Sequence, residues 1–297
     1  MRYAFYQCQR CGLVRLHPFP KAGTKKRLYS YSDPNTHNQD LSPLMKMLYH
    51  FPDGKHLISQ YVRLAHIERQ HIVEQLLASG RLLDVGCGTG EFLTLFDPKK
   101  WKLSGVEVNS HLTTTVKKTF PAMDILNSTI EAFITDEKFD VVTLWHVFEH
   151  ISNPAIIIKK LHRLIRKDGY LIIEVPQADS VVRKLFGRHW NLLLVPEHLY
   201  FWTESSLSSF LSKHGFVVKH IQFRGYVSSF PASFVNWSRN QGVPKLLSVL
   251  AAFCFFPALL LVYKLFPSTR DNLLIIAQKS RPKKLFGNYY LNSKTAS

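Results

Sequence analysis

Arg81-Leu-Leu-Asp-Val-Gly-Cys-Gly-Thr-Gly-Glu91 is the stretch of sequence that decides the fold. Its residues Leu82 to Val85 are apolar or acidic and predict a strand, and three glycines follow at alternate positions, beginning with Gly86. A new apolar pattern, which predicts the start of a helix, begins at Phe92. This order is typical of a cofactor site at the carboxyl edge of a parallel sheet. Glycine suits the turn because a side chain would keep the backbone away from the ligand.

The spacing of the glycines discriminates between cofactors. A dinucleotide fingerprint places glycines at the first, third and sixth positions. Here they occupy the first, third and fifth, and Glu91 stands at the sixth. Asp84 lies two residues before the first glycine, and Glu107 ends the next strand-like segment, 103–109, about twenty residues after the turn. A carboxylate at that point can accept hydrogen bonds from both hydroxyls of a ribose.

Together these features resemble motif I of the class I, Rossmann-like S-adenosylmethionine-dependent methyltransferases, of the type 11/23 kind. A second match follows the near-continuous apolar run 139–145, which is typical of a buried parallel strand and leads into His146-Val-Phe-Glu-His150. The resemblance covers residues 56–225 and 271–279. It implies an α/β fold with a seven-stranded, mostly parallel sheet, an antiparallel last strand and helices on both faces. It also implies S-adenosyl-L-methionine as the cofactor.

The resemblance implies a role for each motif residue. Asp84 and the glycines would hold the methionine part of the cofactor, Glu107 would hold the ribose, and Trp145 and His146 would flank the reacting region. The expected cofactor-binding residues are Asp84, Gly86, Cys87, Gly88, Gly90, Glu107, Val108, Ile130, Trp145 and His146.

Histidines are the candidates for catalysis. The methyl donor is activated by its own positive charge, so a general base is needed only if the acceptor must lose a proton. The candidates are His150, His189 and His198. We favour His198, because it lies in the aromatic loop 196–203, which such enzymes commonly close over the acceptor. His150 is the second choice and is expected to brace the fold.

The rest of the chain supplies the elements that this fold requires. Apolar periodicity and capping residues predict helices over 55–79, 110–119, 155–166 and 204–214, and further strands over 123–126, 170–176, 216–224 and 272–278. The expected divisions are an N-terminal segment 1–54, a cofactor-binding domain 55–225 with 271–280, an apolar insertion 226–270 between strands six and seven, and a basic tail 281–297.

The N-terminal segment carries one C-x-x-C pair, Cys8 and Cys11, followed by Gly12. It looks like one knuckle of a zinc ribbon, but a structural zinc site needs four ligands and no second pair exists. We therefore expect no bound metal unless the ribbon is completed by other ligands.

The formal net charge of +17 favours nucleic acid, an anionic membrane surface or an acidic substrate, with solubility as the alternative explanation. No stretch resembles an RNA-binding motif, so we expect no specific nucleic-acid partner. The four cysteines form no disulfide framework, and the N-terminus lacks a signal-peptide core. We expect a cytoplasmic protein, peripheral on the inner face of the membrane. The oligomeric state stays open.

Leu246–Val262 is almost wholly apolar. It is slightly shorter than the roughly twenty residues of a spanning helix, and Pro257 interrupts it. Strands six and seven must pair in one sheet, so the chain has to return to the side it left, which argues against a single crossing. Attachment to a membrane surface, a lid or core element over an apolar acceptor pocket, and a contact with a protein partner all stay open.

The residues around this segment favour the membrane. Lys245 and Lys264 flank it, and Trp237 and Tyr263 are placed like interfacial anchors. We therefore predict contact with an anionic membrane surface through 244–266.

The acceptor is the least determined feature. We expect a small molecule, either lipid-like, such as a prenylated quinone precursor, or a sugar or glycan. A nicotinamide-dependent oxidoreductase or epimerase would share the fold type, but the fifth-position glycine and the lack of a Tyr-x-x-x-Lys pair in the right context argue against it. A non-catalytic relative that binds cofactor or membrane is the third hypothesis.

Overall fold

A computed structural model describes residues 3–20, 54–121, 123–225 and 229–280. The elements in chain order are β1 (Ala4–Gln7), β2 (Val14–His17), α1 (Gly54–Leu76), β3 (Gly80–Val85), β4 (Trp101–Glu107), α2 (Ser110–Thr119), β5 (Asp124–Asn127), β6 (Phe139–Trp145), α3 (Pro154–Leu164), β7 (Ile165–Pro176), α4 (Val181–Phe186), β8 (Tyr200–Phe201), α5 (Glu204–Lys213), β9 (Phe216–Arg224), α6 (Ser229–Asn240), α7 (Lys245–Leu265) and β10 (Asn272–Lys279). The expected basic tail and most of the N-terminal segment after residue 20 lie outside the described residues.

Seven strands form the main sheet, in the order β5-β4-β3-β6-β7-β10-β9. The ladders β5-β4, β4-β3, β3-β6 and β6-β7 are parallel, whereas β10 pairs antiparallel with both β7 and β9. Two clusters of buried apolar side chains hold helices against the sheet. The predicted fold class is therefore confirmed. Because β3 and β6 are neighbours, the glycine turn and the segment after β6 meet at one edge.

The segment after the glycine turn differs from the prediction. Leu93–Leu95 forms only a short 3₁₀ turn, not an α-helix. Phe92 and Leu93 are buried against the sheet, and Pro98 follows within a few residues, so a full helix has no room.

Two further boundaries also move. α1 ends at Leu76, and Gly80 begins β3 instead of ending the helix. β7 starts at Ile165, earlier than predicted. Its pairing with β6 shifts register between Ile165 and Tyr170, where Asp168 adopts φ 63°, so the expected turn is an irregularity within the strand.

The N-terminal hairpin joins the domain through a second, three-stranded sheet in the order β1-β2-β8. Val14 and Arg15 of β2 pair with Phe201 and Tyr200 of β8. The N-terminal segment is thus attached directly to the aromatic loop that was expected over the acceptor.

The insertion consists of two helices that contact each other, α6 and α7. Among the described residues, α7 is the helix that is long and apolar enough to cross a membrane, judged by length and composition. Only 28% of its most apolar 18-residue stretch is buried. The Tyr263 hydroxyl donates a hydrogen bond to buried Asp271 at the start of the last strand region, which ties the end of α7 to the sheet.

Candidate functional site

The glycine turn leaves an open cradle at the carboxyl edge of β3. Gly86, Gly88 and Gly90 have φ of 73°, 53° and 72°, in the region that favours glycine. A Cβ on Gly86 would lie 2.5 Å from Val147 Cγ2, whereas a Cβ on Gly88 would meet nothing within 4 Å. Val147, in the segment after β6, therefore packs tightly against the turn at Gly86. The turn is open at Gly88, where a ligand can approach the backbone.

Glu107 points toward this turn from the end of β4. Its Oε2 accepts a hydrogen bond from the Gly88 backbone N–H at 3.0 Å, and its Oε1 accepts one from the Asn109 N–H at 2.8 Å. A carboxylate has about four acceptor positions, so two remain for a ligand. Glu107 thus lies beside the glycine turn, as predicted, and its contact with a ribose stays a prediction.

Asp84 is buried at the end of β3. Its Oδ1 accepts a hydrogen bond from Thr143 Oγ1 at 2.7 Å. Burial raises the pKa of Asp84 to about 7, and the charge of Glu107 adds to the rise, against the opposing effects of Thr143 and Arg69. A cationic ligand group beside Asp84 would favour the ionised carboxylate and so offset the effect of burial.

The other expected cofactor residues differ in exposure. Val108, directly after β4, is exposed, whereas Ile130, which follows β5, is buried. Cys87 is buried, and burial raises the pKa of its thiol, so the sulfur is a packing group and not a nucleophile. Trp145 has its ring centroid 5.5 Å from that of Phe92.

A cluster of charged side chains that was not predicted from the sequence lies beside the site. Glu174 in β7 is buried and accepts hydrogen bonds from Arg69 of α1 at 3.3 Å and from Arg224 of β9 at 2.9 Å. The Arg69 guanidinium also lies 4.8 Å from the centre of the Trp145 ring. A glutamate inside the apolar run of β7 was the available signal, since a buried carboxylate needs a partner.

His146 lies between this cluster and a second carboxylate. It has φ 56°, its Nε2 is 3.7 Å from Glu174 Oε1, and its Nδ1 is 3.5 Å from Glu149 Oε1. Burial lowers its pKa, but the two carboxylates outweigh burial and raise the pKa of His146 to about 9. His146 is therefore a cation at neutral pH.

The structure brings the two favoured catalytic candidates together. The rings of His150 and His198 are 4.6 Å apart between centroids, and His198 Nε2 is 3.9 Å from Glu149 Oε1. Burial, with the neighbouring histidine, lowers the pKa of His198 to about 3, so its imidazole is neutral. The third candidate, His189, is half-buried and is not part of this group.

The N-terminal cysteines remain a pair. Cys8 is exposed and Cys11 is half-buried, and both thiols are free. In the part of the chain that the structure describes, the group of three or more metal-binding side chains is Glu149, His150 and His198, so the cysteines have no third ligand beside them there.

Comparison with known proteins identifies the family. A family model described as a methyltransferase domain matches residues 58–221, more than half of the chain. The chain is 23% identical over 175 residues to an uncharacterized methyltransferase of Bacillus subtilis, which covers 56% of the chain and 67% of that protein. It is 24% identical over 157 residues to a ubiquinone biosynthesis O-methyltransferase of Pseudomonas aeruginosa, which covers 49% of the chain and 68% of that protein.

Solved structures agree on the fold. The crystal structure of coclaurine N-methyltransferase bound to N-methylheliamine and SAH matches with a TM-score of 0.50 and 14% identity, over 73% of the chain and 72% of that protein. At such low identity the likeness shows a shared fold alone.

The site fits the cofactor of this family, because the open backbone at Gly88 and the fixed carboxylate of Glu107 form the cradle that an adenosyl group requires. The chain therefore belongs to the class I S-adenosylmethionine-dependent methyltransferases, with S-adenosyl-L-methionine as its cofactor.

Proposed function

We propose that this methyltransferase modifies a hydroxyl group on a lipid-like small molecule, of the quinone-precursor type, that it takes from an anionic membrane surface. The observation that carries the proposal is the apolar surface of α7. The ubiquinone biosynthesis O-methyltransferases among its relatives are compatible with such an acceptor. A sugar or glycan is the second candidate, and no specific nucleic-acid partner is proposed.

α7 buries only a narrow stripe of its surface. The buried residues are Ser248, Val249, Ala252, Leu259 and Tyr263. Large apolar side chains elsewhere on the helix are exposed, namely Leu246, Leu247, Leu250, Phe253, Phe255, Leu260, Leu261 and Leu265. An apolar surface of this extent on one helix is typical of a membrane or protein contact.

The charges around α7 favour an anionic membrane as the occupant. Residues 226–270 contain no aspartate or glutamate, and their basic residues are Arg239, Lys245, Lys264 and Arg270. Trp237, 40% exposed, adds an aromatic side chain of the kind that binds at the headgroup level. Both ends of the insertion return to one sheet through β9 and β10, so α7 would lie along the surface and not span the bilayer.

Contacts connect the membrane-facing helix to the acceptor side of the site. Leu259 and Tyr263 of α7 belong to one buried cluster with Trp190 and Phe201. These last two residues flank the segment that carries His198. Buried apolar contacts therefore join α7 to this segment, which supports an apolar acceptor.

The chemistry follows from the residues at the edge of the sheet. S-adenosylmethionine, when bound, supplies an electrophilic methyl group. Asp84, the glycine turn and Glu107 would hold it, while the packing of Trp145 and Phe92 keeps water from that side. His150, the half-buried member of the group that it forms with Glu149 and His198, would accept the proton of the acceptor hydroxyl.

Vesicle binding tests the membrane contact. Leu250 and Leu261 are 54% and 57% exposed, and each change to glutamine should cost about 1 kcal/mol or more of transfer free energy. We expect the double variant Leu250→Gln/Leu261→Gln to sediment with phosphatidylglycerol-containing vesicles at least roughly tenfold less than the unchanged protein.

Ile134→Gln/Ile156→Gln is the matched control, since these isoleucines are 90% and 59% exposed but lie outside the insertion. It should bind vesicles normally. Equal binding by all three proteins would refute the membrane contact and leave the lid or the protein contact as the function of α7.

Transfer of a labelled methyl group tests the acceptor class. The enzyme is incubated with methyl-labelled cofactor and with either a total lipid extract or a glycan fraction. We expect label in the lipid extract, in a product with an alkali-stable ether. Label confined to the glycan fraction would instead establish the second candidate.

The pKa of Asp84 predicts a pH dependence for cofactor binding. Its folded pKa of about 7 means that Asp84 is mostly protonated at pH 6 and mostly ionised at pH 8. Only the ionised form attracts the ammonium group of S-adenosylhomocysteine, so calorimetry should find binding about tenfold weaker at pH 6 than at pH 8. Asp84→Asn should bind weakly with a flat pH profile, and a flat profile for the unchanged protein would show that Asp84 does not contact the ammonium group.

A further inference from the structure

Glu149 is an unusual carboxylate for the interior of a protein. It is fully buried, and neither of its oxygens has a hydrogen-bond partner among the described residues. An ionised carboxylate without hydrogen bonds is costly to bury, so such a group is expected to have a further partner. The His146 imidazolium, with Nδ1 3.5 Å from Oε1, supplies an opposite charge, but this distance and the 3.9 Å to His198 Nε2 are too long for a strong hydrogen bond. The oxygens of Glu149 therefore keep acceptor positions for a metal ion.

Two histidines beside Glu149 are held in the form that binds metals. His198 Nδ1 donates a hydrogen bond to the Leu192 carbonyl at 2.7 Å, and His150 Nδ1 donates one to the Glu197 carbonyl at 3.0 Å. A carbonyl can only accept, so Nδ1 carries the proton in each ring and the lone pair is on Nε2. A backbone carbonyl that fixes the tautomer in this way is the usual outer-shell partner of a ligating histidine.

We propose that Glu149, His150 and His198 bind a divalent transition-metal ion, with zinc as the expected metal. One ligand atom from each residue lies within 4.8 Å of the other two. Zinc with nitrogen and oxygen ligands at about 2.0–2.2 Å places those ligands roughly 3.3 Å apart, so side-chain shifts of about 1 Å close the site. Two imidazoles with one carboxylate favour zinc and its neighbours over magnesium or calcium.

This site departs from the sequence-based expectation of no metal, which rested on Cys8 and Cys11 alone. Metal ligation would join the turn after β6 to the loop before β8. The hydrogen bond between His150 and the Glu197 carbonyl, 47 positions apart in the chain, already connects these two segments. Three protein ligands leave a coordination position open, as in catalytic zinc sites.

That open position gives the ion a role in catalysis, and this role alone rests on the proposed function. A hydroxyl bound to zinc has a lowered pKa. Its O–H bond breaks, the proton leaves to solvent, and the oxygen keeps the electron pair while bound to the metal. The ion would thus perform the proton removal that the group of Glu149, His150 and His198 serves.

Metal binding is tested without acceptor or cofactor. The starting protein is the full chain with Cys8→Ser and Cys11→Ser, which removes the C-x-x-C pair of the N-terminus. After chelation, titration with Zn²⁺ should show one site per chain, and a 100-fold excess over Kd should raise the Tm by at least about 5 °C. The Co²⁺ form should show d–d bands and no thiolate charge-transfer band.

His150→Gln is the main variant, because this side chain is only half-buried and its loss is expected to leave the fold intact. It should weaken Zn²⁺ binding roughly 100-fold or more and abolish the shift in Tm. His189→Gln, at a histidine that is also half-buried but lies outside the site, should bind as the starting protein does.

Absence of a stoichiometric site in the starting protein, or Zn²⁺ binding that survives His150→Gln unchanged, would overturn the proposal. Either result would leave the methyl-transfer proposal standing, with His150 as the proton acceptor, because methyl incorporation is measured separately.

Discussion

Glu107→Gln is expected to weaken binding of S-adenosylhomocysteine roughly 100-fold or more. The carboxylate is fixed by the backbone N–H groups of Gly88 and Asn109, so it is aimed before the ligand arrives. Hydrogen bonds to a charged group contribute about 1.5–3 kcal/mol each, and a ribose offers two hydroxyls. The amide of glutamine also sets an N–H against one of the two backbone N–H groups, which disturbs the cradle. Isothermal titration calorimetry measures the loss.

Asp124→Asn is the matched control. Asp124 is an exposed carboxylate at the opposite end of β5, the strand next to β4, and its change should leave the affinity within about twofold. Unaltered affinity in Glu107→Gln would mean that the ribose lies elsewhere. The same titration with NAD should show no binding by any of these proteins.

Glu174→Gln is expected to lower the free energy of unfolding by about 3–5 kcal/mol, because it leaves two guanidinium groups and an imidazolium without their buried counter-ion. Arg69, Arg224 and His146 reach Glu174 from three different elements. Loss of this carboxylate should therefore loosen α1 and β9 together. Urea unfolding followed by circular dichroism measures the change.

Glu137→Gln provides the comparison at the surface. Glu137 pairs with Arg81 and Lys102, and all three side chains are partly exposed to water. Exposed ion pairs contribute within about 1 kcal/mol, so this variant should unfold close to the unchanged protein. Similar losses of unfolding free energy in the two variants would show that the Glu174 cluster contributes no more to stability than an exposed ion pair does.

The parts of the site that could be predicted are the residues that lie close together in the sequence. Asp84, the glycines and Glu107 have a spacing that the strand, turn and strand geometry fixes, so their meeting at one edge follows from chain order. The bounds of α2, β6 and β9 were predicted to the residue, because their periodicity and capping residues agree.

The rest depends on tertiary contacts that leave no local pattern. Arg69 and Glu174 are 105 residues apart, and nothing in the apolar pattern of α1 marks this arginine as the one that turns inward. The helix expected after Gly90 does not form, for a similar reason. Burial of Phe92 and Leu93 against the sheet outweighs the helical preference of the local sequence. His198 was predicted to cover the acceptor, and its approach to Glu149 depends on the loop conformation.

The pairing of β2 with β8 has a practical consequence for how the enzyme is produced. An affinity tag fused ahead of Tyr3 would lie near the loop that approaches the acceptor, because β1 pairs with β2, and β2 pairs with β8 in that loop. The carboxyl end of β10 lies at the sheet edge opposite the glycine turn, because β10 runs antiparallel to β7. A tag joined to the chain beyond β10 therefore leaves the sheet away from the cofactor site. Purification handles for activity assays therefore belong at the carboxyl terminus.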